Sequence, residues 1–137
     1  MTVLAATGHR KFQDLVISKE NFPEVYKSLI DHIKDISPTL ILSGMAIGFD
    51  QMIVDAALEL NIPFNAIIPF EGQELKWPKH QIDLYNIYLK KAQEIIYVSS
   101  RGFANWKFHK RNEYLVDNSE SLVAFLKEKQ SGTRALC

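Results

Sequence analysis

The chain has 137 residues, 16 basic and 16 acidic side chains, zero formal net charge, 47% hydrophobic and 23% charged residues. That length fits one domain with its own apolar core, and the charge balance counts against nucleic-acid or membrane-surface binding driven by bulk charge. The one cysteine, Cys137, cannot form an internal disulfide; no Cys/His cluster has zinc spacing, and no run approaches the ~20 apolar residues of a membrane span or begins with a signal-peptide pattern. The expectation is a cytoplasmic protein with no metal and no cofactor.

The elements follow in chain order. Thr2 to Ala6 is expected to form the first strand, and Thr7-Gly8-His9-Arg10 the turn after it. Val25, Leu29, Ile33 and Ile36 recur at three- and four-residue steps, which predicts a helix from Pro23 to about Ile36. Pro23 suits its first turn, Glu24 suits its positive end, and Pro38 closes it. Thr39 to Leu42 is the second strand. The Gly-rich turn Ser43 to Asp50 follows and leads into a helix from Gly48 to Leu60. That helix carries Met52, Ile53, Ala56, Ala57 and Leu60 on one face.

Phe64 to Ile68 is the third strand, closed by Pro69. Phe70 to Lys79 is a polar loop with Trp77-Pro78, and Gln81 to Ala92 a helix with Ile82, Tyr85, Tyr88 and Leu89 as its stripe. Glu94 to Val98 is the fourth strand. Ser99 to Lys110 is a second long loop holding Trp106, and Arg111 to Asn118 is a short helix. Leu122 to Leu126 is the fifth strand, with Ser131-Gly132-Thr133 after it. Continuous apolar strands alternating with helices predict an α/β fold. Its three-layer sandwich has about five mostly parallel strands and helices on both faces. The two long loops exceed simple connectors, and such loops are often functional.

In an open α/β sheet, ligands bind beyond the carboxyl ends of the strands. The sequence puts Thr7, Gly8, His9 and Arg10 there, then Ser43, Gly44, Met45, Ala46, Gly48 and Asp50. Pro69, Phe70 and Glu71 follow, then Ser99, Ser100 and Arg101, then Ser131, Gly132 and Thr133. The glycines allow close backbone approach, and the start of the second helix is expected to offer N–H groups to a phosphate. Ser43, Ser131 and Thr133 add hydroxyls. Arg10 and Arg111 add planar bidentate donors. Asp50 either holds a ribose hydroxyl or stabilises the helix dipole.

Each feature also has a structural reading. Gly44 and Gly48 form turns in any loop, and His9 suits a carbonyl contact. Trp77 and Trp106 suit loop anchors, and Lys107 to Arg111 reads as a solvated face. Glu71 and Glu74 are loop carboxylates without an evident partner.

Taken in order, five motifs resemble the SLOG superfamily. They are Thr7 to Arg10, Ser43 to Asp50, Pro69 to Gln73 with Trp77-Pro78, Lys110 to Asp117, and Ser131 to Thr133. This Rossmann-like group includes the DNA-processing protein A and the Lonely Guy proteins. The likeness is strongest to small bacterial and phage members of the YpsA/YoqJ type, once called DUF1273, and runs over nearly the whole chain. The resemblance implies a Rossmann-like fold that holds a nucleotide or nucleotide derivative. By motif position, its ligand contacts fall on Gly8, His9, Arg10, Ser43, Gly44, Gly48, Asp50, Arg111, Asn112, Gly132 and Thr133.

Some relatives cleave the N-glycosidic bond of a nucleotide monophosphate, whereas others only bind. Cleaving Lonely Guy members carry Pro-Gly-Gly-x-Gly-Thr-x-x-Glu. Here Ser131-Gly132-Thr133-Arg134 has no following Glu, which counts against that activity. Relatives also continue into a last helix beyond Cys137, and a homodimer would cover the sheet face left open. The leading expectation is a nucleotide-binding sensor or sequestering module. The alternative is an N-glycosidase using Asp50 or Glu71 as carboxylate and His9 as acid. A third reading, single-stranded DNA binding, is disfavoured by the charge balance.

Overall fold

The computed structural model describes residues 2–125. In chain order the elements are β1 (Val3–Gly8), β2 (Lys11–Phe12), β3 (Leu15–Val16), α1 (Pro23–Ile36), β4 (Leu40–Ser43) and α2 (Phe49–Glu59). Then come β5 (Phe64–Ile68), α3 (Lys79–Lys91), β6 (Glu94–Tyr97), α4 (Asn105–Asp117) and β7 (Ser121–Phe125). Five strands form one parallel sheet in the order β6-β5-β4-β1-β7. This is a Rossmann-like α/β fold.

The order dictates the layers. From β1 through β4 and β5 to β6 the chain steps one way, so right-handed crossovers keep α1, α2 and α3 on one face. From β6 it returns past β1 to β7, which sends α4 to the other face. The strand residues divide accordingly. Leu4, Ala6, Ile41, Phe64, Ala66, Ile68 and Val123 belong to the large core with α1, α2 and α3. Ala5, Leu42 and Ile67 alternate with them and pack with Leu115 of α4.

Local chemistry explains the element ends. Pro23 starts α1, and Leu29, Ile30 and Ile33 are its buried residues. Ser37 then takes a left-handed conformation (φ 52°), its N–H donating to the Ile33 carbonyl at 2.8 Å, and Pro38 prevents continuation.

Three differences from the sequence reading matter for the site. Thr7 and Gly8 are the last residues of β1, in register with Ala124 and Phe125 of β7. Residues 11–16 form a small hairpin, β2 with β3, turned by Gln13 and Asp14 at φ 51° and 67°. Two residues of positive φ match the twist of a tight hairpin, yet strands this short carry no periodicity in sequence. Finally, α4 begins at Asn105, six residues before the expected Arg111, so Trp106 lies on a helix instead of in a loop.

Candidate functional site

Two layers of side chains occupy the carboxyl ends of the strands. The inner layer is the turn between β4 and α2. Ser43 ends β4 and is fully buried; its Oγ donates to the Asp50 carbonyl at 2.8 Å and accepts the Met45 N–H at 3.1 Å. Met45 takes a positive φ of 63°, which tightens the turn. Asp50 Oδ2 accepts the Ala46 N–H at 3.2 Å. The Arg111 guanidinium arrives from α4: Nη1 donates to the Gly44 carbonyl at 2.8 Å and lies 3.9 Å from Asp50 Oδ2. Asn112 Oδ1 accepts the Arg111 Nε–H at 2.8 Å and fixes its orientation.

The two glycines of this turn are spatial requirements. A Cβ at Gly44 would lie 2.4 Å from Arg111 Nη1. At Gly48, φ is +104° and a Cβ would lie 2.5 Å from Arg10 Cα. The His9-Arg10 backbone therefore rests on the first turn of α2, where the Phe49 N–H donates to the His9 carbonyl at 3.2 Å. The N–H groups of Met45, Ala46 and Phe49 are engaged inside the protein.

Burial dominates the electrostatics of this layer. Asp50 is 5% exposed, and its carboxyl is pushed up from 3.8 to about 6. Desolvation raises it against the opposing pull of Arg111 and the Ala46 N–H. Its second oxygen, Oδ1, accepts no hydrogen bond among the described residues.

The outer layer is a cleft of about 480 Å³ that faces solvent. Arg10 lines it from the turn after β1, Phe70, Glu71 and Trp77 from the loop after β5, and Arg101 and Phe103 from the loop after β6. Phe70 meets Phe103 and Phe108 edge-on, at 6.2 and 5.5 Å between ring centroids. At the other side the Arg10 guanidinium lies 6.0 Å from the Trp77 ring, which itself packs edge-on against Tyr85. Arg101 Nη1 and Glu71 Oε2 pair at 3.1 Å between the two loops.

Lys107 of α4 holds the second loop from beneath. It is 6% exposed, and its Nζ donates to the Ser100 and Gly102 carbonyls, each at 2.8 Å. The same ammonium lies 5.7 Å from the Phe70 ring.

The candidates from sequence thus separate. Ser43, Gly44, Met45, Ala46, Gly48, Asp50, Arg111 and Asn112 meet in the inner layer. Arg10, Phe70 and Glu71 line the cleft, whereas Pro69 is buried and is not among its lining residues. Thr7 and Gly8 are half-buried at the end of β1, and His9 is exposed. Ser131, Gly132 and Thr133 lie outside the described residues. Asp50 and Glu71, the two carboxylates weighed for hydrolysis, fall in different layers. Lys107 and Arg111 are buried instead of forming a solvated face. Sequence reasoning missed Phe103, Phe108 and Lys107. For Lys107 the signal was its four-residue spacing to Arg111 and then Leu115, which lays all three on one helix face.

The family model for YpsA, described as the YspA SLOG family, matches residues 4–136. This chain belongs to the SLOG family. Membership suggests a nucleotide-related function. The SLOG chain is similar to the UPF0398 protein of Bacillus pumilus strain SAFR-032. The two are 25% identical over 146 residues, covering 97% of this chain and 77% of the relative. It is also similar to the UPF0398 protein of Staphylococcus aureus strain JH9, at 24% identity over 141 residues, 93% of this chain and 74% of the relative. Among the described residues no helix is long and apolar enough to cross a membrane. Among the same residues no group of three or more His, Cys, Asp or Glu side chains is placed to hold a metal ion.

Proposed function

We propose that this SLOG protein binds a nucleotide or nucleotide-derived ligand over the carboxyl ends of its strands, as a sensor or sequestering module. The observation that carries the reading is the outer cleft, in which aromatic and cationic side chains converge from three strand ends. The Phe70, Phe103 and Phe108 rings offer apolar surface to a base, and Arg10 over Trp77 offers bidentate donors to a phosphate. Arg101 is already engaged by Glu71, which leaves Arg10 as the better anion contact.

A panel of nucleotides and dinucleotides tests this, followed by thermal shift, tryptophan emission and release of free base. The expected outcome is one or more stabilising ligands, with no base released. Affinity should fall about tenfold in Arg10→Ala, the loss of one charge-assisted contact. Absence of any thermal or spectral response across the panel overturns the proposal. Base release that disappears in Glu71→Gln would replace a binding module by the hydrolytic reading.

A further inference from the structure

On one side the parallel sheet ends at β6, which pairs with β5 and with no other strand among the described residues. An unpaired edge offers backbone donors and acceptors to another chain, and proteins guard such edges with lysine, proline or a bulge. β6 reads Glu94-Ile95-Ile96-Tyr97, with its one charge at the start and neither lysine nor proline. Its register with β5 runs without a break. Ile95 is 42% and Tyr97 47% exposed, a large apolar area for the rim of a sheet.

A groove of about 370 Å³ runs beside β6 on its α4 side. Ile96, Val98 and Tyr114 give it apolar walls, and Lys110 and Asp117 stand along it from α4. These two are seven residues apart, two turns along one helix face. α4 runs back from the carboxyl ends of the strands to their amino ends. Glu120, just beyond it, donates its N–H to the Val3 carbonyl at the start of β1 at 2.8 Å. Lys110 therefore stands toward the carboxyl ends and Asp117 toward the amino ends.

That polarity chooses the occupant. A two-fold axis normal to the sheet lays β6 of a second copy antiparallel to the first and keeps both α4 helices on one face. The rotation exchanges the two ends, so Lys110 of each copy comes to the Asp117 end of the other. Opposite residues of an antiparallel pair share a face. With the axis at Ile96, that residue meets its own counterpart on the α4 side. Ile95 then meets Tyr97 of the second copy on the α3 side, and every facing pair among these three is apolar.

We propose that β6 is a self-pairing edge through which two copies of this chain form a dimer with one continuous sheet. The contact lies in the plane of the sheet, edge to edge. It uses none of the residues that line the outer cleft and is independent of the nucleotide reading.

Sedimentation equilibrium of the full chain over a concentration series tests this, together with amide exchange at low and high concentration. The expected result is a mass that rises from 15.7 kDa toward twice that value, with residues 94–98 gaining protection as it rises. Ile95→Lys places a guard on the edge at an exposed position and should give a folded monomer. The charges supply a readout that a merely structural role would not move. Lys110→Glu and Asp117→Lys, each alone, set like charges against one another twice in the dimer and should weaken it about tenfold. The double variant Lys110→Glu/Asp117→Lys restores the unlike pairs and should recover the parent affinity. A monomer at every concentration would mean that a second copy does not close this edge, and would overturn the proposal. So would a dimer whose β6 amides stay unprotected, or one in which the double charge swap is no tighter than the single variants.

Discussion

Asp50 carries the sharpest residue-scale consequence. Its carboxyl sits at about 6 in the fold against an ordinary 3.8, because burial outweighs the Arg111 contact. A folded-state value above the unfolded one means that the folded chain binds more protons in that window. The associated stability is therefore present at low pH and is lost as pH rises from about 4 to about 6. The full linkage is about 3 kcal/mol. Asp50→Asn removes it. Between pH 4 and pH 7, urea unfolding should show the stability difference between the two proteins move by about that amount, in favour of the variant. A difference that stays constant with pH would mean that Asp50 does not titrate in this range.

Among the elements, α4 is the one whose sequence conceals its role. Its buried stripe is Lys107, Arg111 and Leu115, two cations and one apolar residue. An apolar-periodicity reading finds no helix in Asn105 to Lys110, and so the helix was legible only from Arg111 onward. In α1 the same rule worked, because Val25, Leu29, Ile33 and Ile36 are all apolar and all face the core. β5 was legible residue for residue, Phe64 to Ile68, because all five positions are buried. In the candidate site, the Gly-rich turn was visible in sequence but its neighbours were not. Arg111 reaches Gly44 across 67 residues, and no local pattern encodes that contact.

Lys107 gives the matching prediction. Lys107→Met keeps the length of the side chain and deletes the donors to the Ser100 and Gly102 carbonyls. Stability should fall by about 2 kcal/mol. Amide exchange should quicken at residues 99–104 while β4 and α1 keep their protection. Uniform loss of protection would instead mean that Lys107 supports the whole fold and not this loop.

At the scale of the whole molecule, the two faces of the sheet differ in their cover among the described residues. There, three helices pack on one face and α4 on the other, where Leu115 meets Ala5, Leu42 and Ile67. Leu115 is 1% exposed, so Leu115→Ala should leave a cavity there and cost about 3 kcal/mol, read by chemical denaturation. A cost under about 1 kcal/mol would mean that α4 collapses freely onto the sheet.

The strand order also sets a constraint in time. Leu4 of β1 pairs with Ser121 of β7, 117 residues later. A growing chain emerges amino end first, and so β1 can pair with β4 early while its other edge stays open. An open edge is a template for another chain. Thr7 and Gly8 gain their β7 neighbours only once Ser121–Phe125 has left the ribosome, so that flank of the strand-end surface is assembled after the flank that β4 supplies.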